Sequence, residues 1–171
     1  MDVSLGEVKP AIQKAFSGYG DSGEPLLGYG VLTVAYAAVF STLLRIAHEK
    51  SAVPEKIELR DIGLIGVATF RLSRLVTKDK VTSSLRAPFV KYEKAVGAGE
   101  VEEDARGTGL QRAIGDLITC PYCIGLWVAA GLAFGHVFAP RSTRLLTAIL
   151  AAVATSDACN HAYIKLRDLT Q

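Results

Sequence analysis

The chain has 171 residues, of which half are hydrophobic and 21% are charged, and its formal net charge at neutral pH is only +2. That length suits one domain or one small helical bundle, and so small a charge gives no reason to expect a nucleic-acid partner. Residues 25–44, 62–70, 117–140 and 145–156 contain no Asp, Glu, Lys or Arg. Because a soluble amphipathic helix carries charge along its outward face, this segregation predicts an integral membrane protein rather than a tightly packed soluble domain.

The beginning of the chain does not have the pattern of a cleaved secretory signal. Its first 24 residues contain four carboxylates and two lysines, whereas a secretory signal begins with basic residues and has a shorter apolar core. We therefore expect residues 1–24 to form an N-terminal cytoplasmic segment. Residues 25–171 are expected to form a single helical membrane domain that keeps the first apolar run as a span.

Four stretches are candidates for membrane spans, since about 20 helical residues cross a bilayer. They are about 25–44, 62–77, 121–139 and 145–166. The second is interrupted by Arg71 and Arg74, so it crosses only if both side chains reach the headgroups or pair inside the bundle. A re-entrant helix there would change the topology. The predicted fold class is all-α, an integral membrane bundle of about four transmembrane helices.

The loop 78–112 between the second and third spans is rich in basic residues. Val81–Val96 mixes them with apolar side chains, which predicts an amphipathic helix lying on the membrane surface. Gly97–Gly109 is rich in glycine and acid, and Glu102-Glu103-Asp104 is typical of a solvated flexible loop. Leu110–Thr119 has the pattern of a second surface helix that leads into the third span.

The distribution of basic residues predicts the orientation of the bundle. Thirteen Lys and Arg residues fall on the side of the long loop and the termini, and six fall on the opposite side. Because cytoplasmic loops carry the excess of Lys and Arg, we expect a multi-pass protein with both termini in the cytoplasm. The four basic residues of the first connection, 45–61, conflict mildly with this orientation.

This topology collects the polar residues of separate spans at one depth, near the long loop. They are Arg71, Arg74, Cys120, Cys123, Asp157, Cys159, Asn160 and His161. Ionisable groups at membrane depth are costly and normally pair with each other. We therefore expect Asp157 to neutralise Arg71 or Arg74 and to hold three helices in register.

The motif Cys120-Pro121-Tyr122-Cys123 at the start of the third span allows three interpretations. The cysteines can be packed thiols at a helix start, since Cys behaves as a small apolar residue. They can hold zinc or iron together with His161 or Cys159, although Cys159 and His161 lie two apart, on different faces of one helix.

The third interpretation is a redox dithiol, because a helix N-terminus stabilises a thiolate. Cys-Pro-Tyr-Cys is also the active-site tetrapeptide of glutaredoxins, but the resemblance ends at those four residues. The reducing cytoplasm makes a permanent disulfide between Cys120 and Cys123 unexpected.

Two segments resemble a known family. Ala68–Val76 reads ATFRLSRLV, and Asp116–Trp127 reads DLITCPYCIGLW. In this order they resemble the small bacterial membrane proteins catalogued as domain of unknown function 1360, over about residues 60–165. The resemblance implies a multi-span protein of the bacterial cytoplasmic membrane and carries no established activity.

The sequence therefore predicts a small structural or accessory membrane protein with a cytoplasmic-side polar cluster. Its expected partners are the lipid bilayer and either another membrane protein or further copies of itself. Two alternatives stay open: a thiol–disulfide oxidoreductase or metal-binding protein that uses the Cys-Pro-Tyr-Cys motif, and an oligomeric transporter or channel subunit that uses Asp157 with Arg71 and Arg74.

Overall fold

The computed structural model describes Tyr19 and residues 24–170, so the predicted segment 1–24 lies almost wholly outside the described residues. The described chain is mostly helical and carries one small antiparallel hairpin. The helices are α1 (Leu26–Glu49), α2 (Leu59–Thr77), α3 (Ser83–Arg86), α4 (Gly109–Thr119), α5 (Pro121–Phe138) and α6 (Pro140–Leu169), and the strands are β1 (Val90–Gly97) and β2 (Glu100–Ala105).

Each of the four predicted spans falls on one long helix. These helices, α1, α2, α5 and α6, have 24, 19, 18 and 30 residues. Among the described residues, two helices are long and apolar enough to cross a membrane, Leu26–Glu49 and Pro121–Phe138, and only 6% of either apolar window is buried. Proline stands at the start of α5 and α6, where its missing N–H leaves no helical hydrogen bond unmade.

Helix α2 is the centre of the bundle and packs against both α5 and α6. A small apolar core joins Ala68 of α2, Leu132 of α5 and Leu150 of α6. Helix α1 lies against α4 and α5. An aromatic edge contact, with the rings of Tyr36 and Trp127 5.1 Å apart, fixes α1 on α5.

The prediction of an amphipathic helix over 81–96 is wrong. Only Ser83–Arg86 is α-helical after a 3-10 turn at Lys80–Thr82, and Val90–Gly97 is a β-strand. The segment predicted to be a flexible acidic loop supplies the partner strand Glu100–Ala105. The all-α class is therefore corrected to a mostly helical protein with a two-stranded sheet.

Turn chemistry explains why the hairpin forms. Gly97, Ala98 and Gly99 all have positive φ angles, of 92°, 50° and 77°, and glycine adopts that region without a steric penalty. The hairpin buries Val90 and Val101. Its second strand is attached to the end of α2, because the Val101 amide donates to the Lys78 carbonyl at 2.9 Å.

The helix predicted over Leu110–Thr119 is found as α4. It packs closely on the hairpin at Gly115, where an added Cβ would lie 2.7 Å from the Cβ of Ala105. Helix α4 therefore connects the hairpin to the start of α5 and brings both to the same end of the bundle.

Candidate functional site

Arg71, in the last turns of α2, joins two other parts of the chain. Its Nη2 donates a hydrogen bond to Asp79 Oδ2 at 2.7 Å, and its Nε lies 3.0 Å from Asp157 Oδ2 of α6. The Nε–H has no hydrogen-bond partner, so the contact with Asp157 is an ion pair without hydrogen-bond alignment. The side chain is only 16% exposed. Arg71 thus links α2 to α6 and to the segment that follows α2.

Arg74, one turn later, binds the hairpin instead of α6. Its Nε and Nη2 donate to Glu100 Oε1 at 3.0 and 2.6 Å, and Nη2 also reaches the second carboxylate oxygen. Such forked pairing gives both strength and a fixed geometry. The guanidinium also lies 5.9 Å from the centre of the Phe70 ring. Of the two sequence-predicted pairings for Asp157, the structure forms the one with Arg71.

Among the described residues, the most buried charged group is Arg86, at the end of α3. Its side chain is 2% exposed and forms an ion pair with Glu103 of β2, which is 4% exposed. Its Nη1 also donates to the Val76 carbonyl at 2.7 Å, and its Nη2 donates to the Asp79 carbonyl at 3.1 Å. The first of these carbonyls belongs to the last turn of α2, where no further helical N–H is present to bind it. Arg86 therefore caps α2 and fixes the hairpin beneath it.

Together these three arginines and their carboxylates form what we call the polar cap, the residues Arg71, Arg74, Asp79, Arg86, Glu100, Glu103 and Asp157. Sequence reasoning missed Arg86 and three of the four carboxylates, because it treated the loop as a surface helix followed by solvated chain. The sequence did contain a signal for a hairpin: the glycine-containing turn Gly97-Ala98-Gly99 lies between a basic segment and an acidic segment of similar length. That pattern predicts that the two segments pair as antiparallel strands.

A cleft of about 1100 Å³ opens between the hairpin turn and α6, on the outer side of the polar cap. Arg71, Arg74 and Asp157 line it, and so do Asn160 and His161. The structure thus brings five of the sequence-predicted candidate residues into one site: Arg71, Arg74, Asp157, Asn160 and His161.

The cysteines lie elsewhere. Cys159 is free and exposed, and Cys123 lines a second, smaller cavity between α1, α4 and α5. The four candidate metal ligands are therefore divided between different places. Within residues 24–170 no three His, Cys, Asp or Glu side chains converge as a metal site requires.

Cys120 and Cys123 are joined by a disulfide, which differs from the expectation that such a bond is disfavoured. That expectation rested on the reducing cytoplasm, whereas the local geometry favours closure, since the two Cα atoms are 5.2 Å apart. Cys120 caps α5, and its Sγ accepts a hydrogen bond from the Cys123 amide at 3.2 Å. The pair occupies the helix start, as the sequence predicts.

These features define a small, mostly helical protein with two helices apolar enough to cross a membrane and an arginine–carboxylate cap at one end. The chain belongs to the family described as Protein of unknown function (DUF1360), whose family model matches residues 64–163. That range contains the polar cap and the cysteine pair, so the family resemblance found in the sequence is confirmed.

Two curated relatives come from Bacillus subtilis (strain 168). The chain is 37% identical to "Sporulation protein YjcA" over 93 residues, which is 53% of this chain and 79% of that protein. It is 34% identical to "UPF0713 protein YngL" over 86 residues, or 50% of this chain and 64% of that protein. The second match thus spans slightly less than two thirds of its relative. No solved structure matches the chain.

Proposed function

We propose that the protein is a four-span integral protein of the bacterial cytoplasmic membrane, in which residues 25–171 form one membrane domain with a structural or accessory role. The observation that carries this proposal is the exposure of apolar side chains on every long helix. Val34 of α1, Ile62 of α2, Leu126 of α5 and Leu145 of α6 are 68%, 54%, 58% and 65% exposed. In water such surface is unfavourable by about 25 cal/mol per Å², whereas lipid chains solvate it.

Arg71 and Arg74 of α2 and Asp157 of α6 are compatible with a position inside the membrane, because each of them is paired. Arg71, Arg74 and Asp157 all contact a group of opposite charge, which is what ionisable residues at membrane depth require. Helix α6 is about 45 Å long at 1.5 Å per residue, against a hydrocarbon core of about 30 Å. Its part after Asp157 therefore projects beyond the lipid on the side of the polar cap.

The same side is assigned to the cytoplasm. Thirteen of the Lys and Arg residues fall on it and six on the other, and cytoplasmic segments carry this excess. The cleft beside the polar cap then faces the cytoplasm, between a hairpin and a projecting helix. That position suits a docking point for a partner protein or a second copy. The relative YjcA is named a sporulation protein, and by extension we propose for this chain a supporting role in a cellular process.

Site-directed labelling tests the topology. In a background with all three cysteines changed to serine, Glu55→Cys and Lys91→Cys introduce single thiols at two exposed positions. A membrane-impermeant maleimide should label position 55 in right-side-out vesicles and position 91 in inside-out vesicles, with both labelled in detergent. Labelling of both positions from one side, or recovery of the protein without detergent, would overturn the proposal.

A further inference from the structure

The smaller cavity, which the polar cap does not explain, lies between the first three turns of α1, the second half of α4 and the start of α5. Its volume is about 310 Å³, at the lower end of the range of roughly 300–1,000 Å³ found for small-molecule sites. Most of its lining is apolar, and the rings of Tyr36 and Trp127 form part of the wall. Leu126 lines the cavity and is also 58% exposed, so the cavity opens onto the surface that the proposed function gives to lipid.

The disulfide stands at the edge of this cavity, because Cys123 belongs to its lining. A structural disulfide stabilises by closing a long loop, but this one closes only four residues that α5 already holds together. In a reducing compartment, disulfides are transient and serve catalysis or redox sensing. The position of the pair therefore favours a redox role over a structural one.

A tyrosine and a carboxylate complete the cavity wall. The Tyr29 hydroxyl lies 2.8 Å from Asp116 Oδ2 and 3.0 Å from Glu24 Oε2. Since one hydroxyl donates one proton, it serves one carboxylate at a time, and the three groups form a short chain along which a proton can move. The cavity thus combines an electron donor or acceptor, a proton path and an apolar opening.

We propose that this cavity binds the head group of a lipid-soluble quinone and that the reduced Cys120–Cys123 pair transfers two electrons to it. A quinone fits each element: its ring is planar and apolar, it arrives from the bilayer, and a carbonyl oxygen accepts the Tyr29 hydrogen bond when the hydroxyl turns away from its carboxylates. Aromatic side chains such as Tyr36 and Trp127 pack well against a planar ring. This inference rests on the membrane placement of the proposed function and not on the supporting role.

The reaction balances without a further oxidant. The two thiols lose two electrons and two protons as the S–S bond forms, and the two quinone carbonyl oxygens gain them to give a hydroquinone. Tyr29 passes one proton to the nearer oxygen and is protonated again by way of Asp116, and the farther oxygen takes the second proton from solvent water. Cys120 first releases its proton, and the resulting thiolate, which the helix N-terminus stabilises, is the electron donor. A dithiol from the cytoplasm restores the reduced pair by thiol–disulfide exchange.

The test uses the full chain in lipid nanodiscs, reduced with a phosphine that is then removed. Decylubiquinone is the probe, because its fully substituted ring does not add thiols. We expect one hydroquinone formed and two thiols lost per chain. The rate should fall at least tenfold in Cys120→Ser and in Cys123→Ser and stay unchanged in Cys159→Ser, whose thiol lies elsewhere. Equal rates in the cysteine variants would refute the proposal.

Three further variants separate quinone binding from simple thiol reactivity. Thr33→Trp places a large side chain at an exposed position of the cavity wall, and Asp116→Asn and Tyr29→Phe interrupt the proton path. Each should slow decylubiquinone reduction at least tenfold while diamide, a water-soluble oxidant, still closes the disulfide at the normal rate. Unchanged quinone reduction in Thr33→Trp would reject the cavity as the site. Failure of the labelling topology, by contrast, would show that the membrane placement itself is wrong.

Discussion

At the scale of single residues, Arg86 is the group on which the polar cap depends most. Its guanidinium is shielded from water, pairs with Glu103 and binds the Val76 carbonyl at the end of α2. Removing one partner of a buried ion pair leaves the other charge without compensation, which costs roughly 3–5 kcal/mol, whereas replacing both by apolar residues is often tolerated. The pair is therefore a point where a single change does more harm than a double one.

We predict that Glu103→Leu destabilises the protein by about 3–5 kcal/mol and that adding Arg86→Met recovers a large part of the loss. Unfolding in detergent, followed by circular dichroism, measures both changes. The matched control is Glu102→Gln, whose partner Lys94 is exposed, because exposed pairs contribute about 0–1 kcal/mol. A double variant less stable than Glu103→Leu would contradict the prediction that the uncompensated charge of Arg86 causes the loss.

At the scale of elements, the approach of α1 to α4 depends on Gly28. A Cβ at this position would lie 2.6 Å from the Cβ of Ala113 and 2.9 Å from the Gly109 carbonyl oxygen. Real Cβ atoms do not approach so closely, so a larger residue forces the helices apart. The separation would also move Tyr29 away from Asp116, because both residues lie beside this contact.

We predict that Gly28→Ala lowers the stability by about 1–3 kcal/mol, the usual penalty of overpacking. Gly30→Ala is the matched control, because nothing lies within 4 Å of its added Cβ, and it should be neutral or slightly stabilising since alanine favours a helix. Thermal unfolding of the two variants in the same detergent compares them directly. Equal losses would mean that the contact at Gly28 does not limit the packing.

The secondary-structure elements differ in how well the sequence predicts them. The four long helices follow from uncharged runs, because the membrane signal is local to each run. The hairpin was missed because apolar residues among basic ones, namely Leu85, Phe89, Val90 and Tyr92, were interpreted as an amphipathic helix, although residues 90–97 contain no proline that would forbid a strand. The partners of the arginines were missed with it: which carboxylate meets Arg74 or Arg86 depends on the pairing of β1 with β2, and pairing is not local. The cavity beside Cys123 was beyond prediction because it depends on how α1 and α4 meet.

At the scale of the whole molecule, the ion pair between Arg71 and Asp157 joins the polar cap to α6, the last helix. It connects α2 with α6 across 86 residues of sequence. Asp157 is 47% exposed on its side chain, and Arg71 keeps Asp79 as a second partner. Losing Asp157 therefore loosens α6 without leaving a buried charge uncompensated.

We predict that Asp157→Asn lowers the stability by about 1 kcal/mol, the scale of polar contacts between membrane helices. Arg71→Leu should be more damaging, because it leaves Asp79 and Asp157 without their shared cation. The control is Asp168→Asn, near the end of α6, where the carboxylate is 64% exposed. Thermal unfolding in detergent measures all three, and an effect of Asp168→Asn as large as that of Asp157→Asn would argue against the assignment.

The bonds of Arg86 have a consequence for the order of assembly. All its partners lie between Val76 and Glu103, so they emerge from the ribosome before α5 and α6 do. The buried ion pair can therefore close during synthesis, before α5 and α6 have emerged. Helix α2 is then already in place as a packing surface when α5 and α6 emerge. The contact between Asp157 and Arg71 forms last, with an arginine that Asp79 already holds in position.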